Sequence, residues 1–183
     1  MRIVGGEFSG RALKGPSSSA IRPTSDRLRE ALFNILAHGY EDVVQDARVI
    51  DLFAGTGALA LEALSRGARF ALLVDEGSEA RALIRANVEH LGLGGRTRLF
   101  RRDARKLGQA PSGERFTLAF LDPPYGKGLA EPALASLRDG GWLVEKALVL
   151  VEESTDAVID VPAGFEELER RTYGDTQVLF LRA

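Results

Sequence analysis

The sequence predicts an α/β chain on a mostly parallel sheet of seven strands, and three observations carry that expectation. From residue 47 onward short apolar runs alternate with stretches of helical periodicity; several of the runs end in carboxylates or a glycine loop; and the final two flank Gly174-Asp175. Such alternation is the pattern of a doubly wound sheet, and two runs around a Gly-Asp turn are that of an antiparallel hairpin at its edge. With 183 residues, 45% hydrophobic and 27% charged, the chain suits one compact body with a sizeable core.

Residues 1–15 place glycines at 5, 6, 10 and 15 around Ile3-Val4, Phe8 and Leu13, which predicts a small N-terminal β-hairpin displaying its arginines. A Ser-rich loop, Pro16 to Ala20, follows. After Pro23, Thr24 or Ser25 caps a helix whose Leu28, Ala31, Leu32, Ile35 and Leu36 form one buried stripe, ended by Gly39. The alternating part then reads as strand 48–53, helix 58–66 stopped by Gly67, strand 70–74, helix 79–91, strand 98–101, strand 116–121, helix 129–137 and strand 147–151. Residues 166–173 and 177–181 complete the sheet as its hairpin. The expected division is a basic extension over 1–23 and a sheet-bearing domain over 24–183.

Cysteine is absent, which removes disulfides, thiolate nucleophiles and cysteine-bearing metal sites and agrees with a reducing compartment. His38 and His90 stand apart, read as surface residues on helices, and have no catalytic partner in sight, so no metal is expected. No apolar stretch suits a membrane span and nothing after Met1 reads as a signal peptide; a cytoplasmic monomer is the expectation. The overall charge of −2 argues by itself against a nucleic-acid partner, but its distribution argues for one. Residues 1–38 carry Arg2, Arg11, Lys14, Arg22, Arg27 and Arg29 against Glu7, Asp26 and Glu30, so that end is basic. Twenty of the 24 basic residues are arginine. That choice suits bidentate phosphate contact and stacking, although a GC-rich genome or heat adaptation gives the same excess.

In an open α/β sheet, ligands bind beyond the carboxyl ends of the strands, where strand order reverses. Asp51 closes the first strand. Gly55, Thr56 and Gly57 follow in a loop that lets a ligand lie against backbone and opens a helix whose free N–H groups face an anion. Asp75 closes the second strand, twenty residues after Gly55, the position from which a carboxylate reaches ribose hydroxyls. Asp103-Ala104 follows the third and is placed to receive an adenine amino group. Gly55 to Ala60 also satisfies a loose dinucleotide fingerprint, so NAD is weighed against S-adenosylmethionine. The register of the three acids and the end of the fourth strand, Asp122-Pro123-Pro124-Tyr125, favour the latter.

An exocyclic base amine is a poor nucleophile because its lone pair is conjugated with the ring. Were Asp122 and the Pro123 carbonyl to accept its two hydrogens, they would orient the nitrogen and stabilise the charge that develops on methylation, with Tyr125 stacked on the base. A base inside a helix is out of reach, so the target is unpaired or flipped. The plainer alternative for each acid is a helix cap or turn, and for the fourth strand end a stiff turn with a packing tyrosine. Arg101, Arg102, Arg105, Lys106 and Lys127 read as RNA contacts or as a solvated face, and Trp142 as core.

Five segments go beyond this general pattern: RIVGGEFSGR at 2–11, RPTSDRLREALFN at 22–34, DLFAGTGALALEALSRG at 51–67, DPPY at 122–125 and YGDT at 173–176. Together they resemble the RsmD family, the 16S ribosomal RNA guanine-N2 methyltransferases, over nearly the whole chain. The resemblance implies a Rossmann-like class I methyltransferase that uses S-adenosylmethionine to methylate one guanine of 16S rRNA within the small ribosomal subunit. By motif, Asp51, Gly55, Thr56, Gly57, Asp75, Asp103 and Ala104 would hold the cofactor; Asp122, Pro123 and Tyr125 the guanine; and Arg2, Arg11, Arg22 and Arg27 the RNA. Glu76 beside Asp75 leaves the ribose ligand open to a shift of one. No base with a tuned pKa is required, because the amine proton can leave to solvent or to Asp122. The competing readings are an adenine-N6 or cytosine-N4 methyltransferase on DNA or RNA, a non-catalytic RNA-binding assembly factor, and an NAD-dependent oxidoreductase.

Overall fold

The computed structural model describes residues 1–19 and 21–183; Ala20, the last residue of the expected Ser-rich loop, lies outside them. Its elements run α1 (Asp26–Gly39), β1 (Arg48–Leu52), α2 (Ala58–Ser65), β2 (Phe70–Val74), α3 (Ser78–Leu91), β3 (Thr97–Phe100), β4 (Phe116–Leu121), α4 (Ala130–Asp139), β5 (Leu143–Ser154), β6 (Glu166–Tyr173) and β7 (Thr176–Arg182). The strands form one seven-stranded sheet in the order β3-β2-β1-β4-β5-β7-β6. Neighbours from β3 to β5 are parallel, and β7 is antiparallel to both β5 and β6. The order reverses between β1 and β4, the place where ligands settle in this architecture.

Side chains alternate across the sheet, as the strand period of two requires. Val49, Ala71, Leu73, Leu118 and Phe120 pack with α1, α2 and α3 on one face. Ile50, Leu52, Leu72, Leu121 and Val151 pack with α4 and Trp142 on the other. Trp142 is fully buried, stacked on Phe116 at 6.3 Å, and its indole N–H donates to the Gly108 carbonyl at 2.8 Å, so the core reading of this residue holds.

Three elements depart from expectation. Strand β5 is longer at both ends than 147–151: at its start Lys146 adopts φ 66° and a bulge against β4 lets pairing continue through the polar pair Glu145-Lys146, and at its end pairing with β7 carries it to Ser154. Residues 1–15 fold back antiparallel through a single bridge, Arg2 to Ala12, supported by Ile3 N–H to the Arg11 carbonyl and Leu13 N–H to the Met1 carbonyl, both 2.9 Å. In α1 the buried stripe is Arg29, Leu32, Phe33 and Leu36, one residue round from the one predicted. Arg29 therefore belongs to the interior, not to the basic surface.

A buried carboxylate explains that placement. Glu62 of α2 is fully buried and accepts from Val4 N–H (3.0 Å), Gly5 N–H (2.9 Å), Arg29 Nε (3.1 Å) and Arg66 Nε (2.8 Å). Arg29 spends its remaining donors on Asp26, the Thr24 carbonyl and the Arg2 carbonyl. Ser65, one turn on, accepts from Phe8 N–H at 2.9 Å and donates to the Gly5 carbonyl at 2.6 Å. Gly6 is required at this crossing: a Cβ there would lie 1.9 Å from the Ser65 carbonyl oxygen. With Ile3 and Leu13 sunk into the helix-side core, the N-terminal segment is welded to α2.

The outer strand β6 is mostly exposed and rich in charge, with Arg170 paired to Glu167 at 2.8 Å and Arg171 to Glu169 at 2.6 Å. Glu169 also accepts from the Tyr40 hydroxyl, whose ring stacks on Phe180 at 5.3 Å.

Replacing Glu62 by alanine leaves two arginine side chains and two backbone N–H groups without their acceptor, and is expected to remove about 3–5 kcal/mol of stability. Urea denaturation checks the magnitude, and limited proteolysis should cut the N-terminal segment first.

Candidate active site

Pairing of β1 with β4 puts Leu52 beside Leu121, so the glycine loop and the Asp-Pro-Pro-Tyr turn leave the sheet together. Both line one cavity of about 680 Å³, which also takes in Asp75, Glu76, Asp103 and Ala104 from the neighbouring strand ends. The loop is held in left-handed backbone at Phe53 (φ 58°), Gly55 (61°) and Gly57 (83°). At Gly57 a Cβ would also come within 3.1 Å of Leu73, so glycine is needed for both torsion and space.

Of the expected cofactor residues, Asp51, Gly55, Thr56, Asp75, Asp103 and Ala104 line this cavity, while Gly57 does not. Asp51 is 1% exposed; its Oδ2 accepts from Ala60 N–H at 3.2 Å while its Oδ1 has no partner. Burial pushes its pKa well above the ordinary carboxylate range. Asp75 ties two loops together, accepting from Gly55 N–H through Oδ2 and from Gly77 N–H through Oδ1, both at 2.9 Å. Glu76 beside it is exposed. The Thr56 hydroxyl turns back to accept from Ala58 N–H at 3.3 Å, and its carbonyl accepts from Asn87 at 2.9 Å. Asp103 is folded onto Arg105, which donates to both carboxylate oxygens and holds its pKa low.

The proline-turn end of the cavity contains more than the sequence suggested. Asp122 Oδ1 is 2.8 Å from Arg22 Nη2, and Asp122 Oδ2 accepts from the Thr24 hydroxyl at 2.9 Å. Glu152, on β5, faces the same guanidinium: its Oε1 lies 3.2 Å from Arg22 Nη1 and accepts from the Tyr125 hydroxyl at 3.1 Å. Having donated there, Tyr125 accepts from Thr176 Oγ1 at 2.6 Å. The Arg22 Cζ lies over the Tyr125 ring, 3.8 Å from its centroid. Glu153 points the other way and accepts from Gly126 N–H at 3.0 Å, fixing the end of the proline turn. Burial and the Glu152 charge push the Asp122 pKa upward, with Arg22 opposing them.

Of the expected RNA residues, Arg2, Arg11 and Arg27 are exposed on the N-terminal segment and α1, with Arg11 donating to the His90 carbonyl at 3.0 Å. Arg22, exposed as well, is engaged by Asp122 and Glu152 at the proline turn. Glu152, Glu153 and Thr24 are the partners not foreseen, although one signal was present: Glu152 directly follows an apolar run, as Asp51, Asp75 and Asp122 do. Ser19, Ile21 and Arg22 also line the cavity, and just before them Ser17 N–H and the Ser18 hydroxyl donate to Glu79 at 3.1 and 2.6 Å. Among the described residues no group of three or more His, Asp or Glu side chains is placed to hold a metal, and no helix is long and apolar enough to cross a membrane.

Comparison with known proteins agrees with this geometry. The family model described as "Conserved hypothetical protein 95" matches residues 1–182. Ribosomal RNA small subunit methyltransferase D of Escherichia coli K12 is 40% identical over 166 residues, covering 90% of this chain and 81% of that protein. The chain belongs to the RsmD family. The RsmD protein of Haemophilus influenzae is 31% identical over 176 residues, 95% of this chain and 89% of that one. Among solved structures, Escherichia coli yhhF superposes with a TM-score of 0.83 at 35% identity, covering 100% and 97% of the two chains. A hypothetical protein of Thermus thermophilus gives 0.77 at 36% identity, with 98% of each chain covered.

For an RsmD-family chain the cofactor in question is S-adenosylmethionine, and the residues present fit it. Asp51 lines the cavity and keeps one buried acceptor, Oδ1, without a partner, and the glycine loop beside it leaves backbone free for close approach.

The buried Asp51 carboxylate carries a stability consequence. Its folded pKa is raised, so its protonated form is the one folding favours, and stability falls as pH rises from the unfolded value through the folded one. Asp51→Asn is therefore expected to raise Tm at pH 7 by about 2 °C or more, with the gain vanishing below the unfolded carboxylate pKa. Thermal melts at both pH values test the stability change, and calorimetry should find cofactor binding weakened.

Proposed function

We propose that this chain transfers a methyl group from S-adenosylmethionine to the exocyclic N2 amine of a guanine in small-subunit ribosomal RNA. The observation that carries the reading is the single cavity shared by the glycine loop and the Asp122 turn, which sets a cofactor end and an amine end side by side. S-adenosylmethionine-dependent methylation of small-subunit RNA follows from family membership; the base and the atom are the finer proposal.

Bound S-adenosylmethionine supplies an electrophilic methyl on a sulfonium. Asp51 would hold its amino-acid end, Gly55, Thr56 and Gly57 would let it lie against backbone, Asp75 or Glu76 would hold the ribose, and Asp103-Ala104 the adenine. The Asp122 carboxylate and the Pro123 carbonyl accept the two amine hydrogens and aim the nitrogen lone pair along the transfer axis. Positive charge developing on the amine as it is methylated would lie beside Asp122, where a desolvated carboxylate is most effective in stabilising it. The surplus amine proton leaves to Asp122 or to solvent. Tyr125 stacks on the base once Arg22 has moved aside. Residues 1–23 act as an RNA-binding extension, with Arg2 and Arg11 on phosphates, Arg27 of α1 beside them, and the released Arg22 joining them.

Purified protein is expected to label small subunits that lack the modification, with the label in N2-methylguanine after digestion; label in adenine or cytosine overturns the base assignment. Asp122→Ala should keep cofactor affinity and lose about 10²-fold or more in kcat, read by single-turnover assay beside calorimetry. Arg11→Ala should lower the slope of log affinity against log salt by about 1; an unchanged slope removes the arginine from the interface.

A further inference from the structure

We propose that Glu152 is the residue that distinguishes guanine from the other bases, by accepting its N1–H. The inference rests on the guanine reading above and adds a residue to it.

The Arg22 guanidinium is the observation that points there. A planar N–C–N fork lies against the Tyr125 ring at 3.8 Å, with one nitrogen 2.8 Å from Asp122 and the other 3.2 Å from Glu152. Guanine carries the same fragment on its Watson–Crick edge: C2 bonded to the N2 amine and to N1–H, both donors, in the plane of an aromatic ring. Laid in the place of the guanidinium, that edge puts N2 against Asp122, where methylation requires it, and N1–H against Glu152. Adenine and cytosine have the opposite arrangement beside their amines. The ring nitrogen flanking each amine is an acceptor, and in this pose it would meet a carboxylate that is only 4% exposed, leaving two acceptors facing each other without solvent. The site is thus built to reject the bases that share the exocyclic amine but lack the neighbouring donor.

Glu152 is held in one pose for this task. Thr24 lies 3.4 Å from its Oε2, and the Tyr125 hydroxyl, itself braced by Thr176, donates to its Oε1. Arg22 keeps the two carboxylates compensated in the free protein and must vacate the place before a base is read.

The test uses small subunits reconstituted with 2-aminopurine at the modified nucleotide. That base keeps the N2 amine but presents an acceptor at N1. The wild-type enzyme should prefer guanine by about 10²-fold or more in kcat/KM. Glu152→Gln, whose amide can donate, should bring the two substrates within about tenfold of each other. The analogue lacks O6 for both enzymes alike, so the change in ratio isolates N1. Equal use of the two bases by the wild-type enzyme, or an unchanged ratio in Glu152→Gln, overturns the proposal. Should the variant fail to fold, wild-type enzyme on subunits carrying 1-methylguanine decides: loss of transfer supports Glu152 and undiminished transfer overturns it. Failure of the guanine reading itself is seen separately, on unmodified subunits, as label in another base or none.

Discussion

Parallel pairing of β1 with β4 is the constraint from which the site follows. These strands are far apart in sequence, yet their register sets Leu52 beside Leu121, and whatever follows each of them must share one space. The reversal of strand order at this pair leaves a crevice that no crossing helix fills. A glycine loop after one strand and a proline-stiffened turn after the other then define two ends of a single cavity. Neither motif has chemical meaning without the other's position.

The second organising feature is Glu62. A carboxylate inside a hydrophobic face is tolerated only when its lone pairs are taken, and here two arginines and two backbone amides take them. The arrangement fixes the N-terminal segment against α2 and the start of α1 in the same stroke. Because Arg29 also grips the Thr24 carbonyl, the clamp reaches Thr24 and, two residues before it, Arg22. A structural ion cluster on one side of the sheet thereby positions polar groups at the amine end of the cavity.

The sheet was legible in the sequence because strands with both faces buried read as unbroken apolar runs, and β2 and β4 match their expected limits. The strand-terminal acids were legible for a related reason: a carboxylate directly after a buried run has nowhere to go but the sheet's rim. What the sequence hid depends on long-range pairing. Arg29 looks like any helical arginine until Glu62 is brought beside it, and a polar pair such as Glu145-Lys146 conceals the early part of β5. Arg22 reads as a phosphate contact because a basic segment suggests one, while its seat over Tyr125 exists only once Asp122 and Glu152 have been assembled from two strands. The Tyr173-to-Thr176 segment likewise gains a reason from the fold, since Thr176 braces the Tyr125 hydroxyl.

Strand β6 has a free flank, and an unpaired flank is an invitation to another polypeptide. Here it bristles with acids and arginines that satisfy one another within the strand. An incoming strand would have to strip these pairs of water before gaining any ladder bonds. Extension of the sheet from molecule to molecule through β6 therefore carries a desolvation cost.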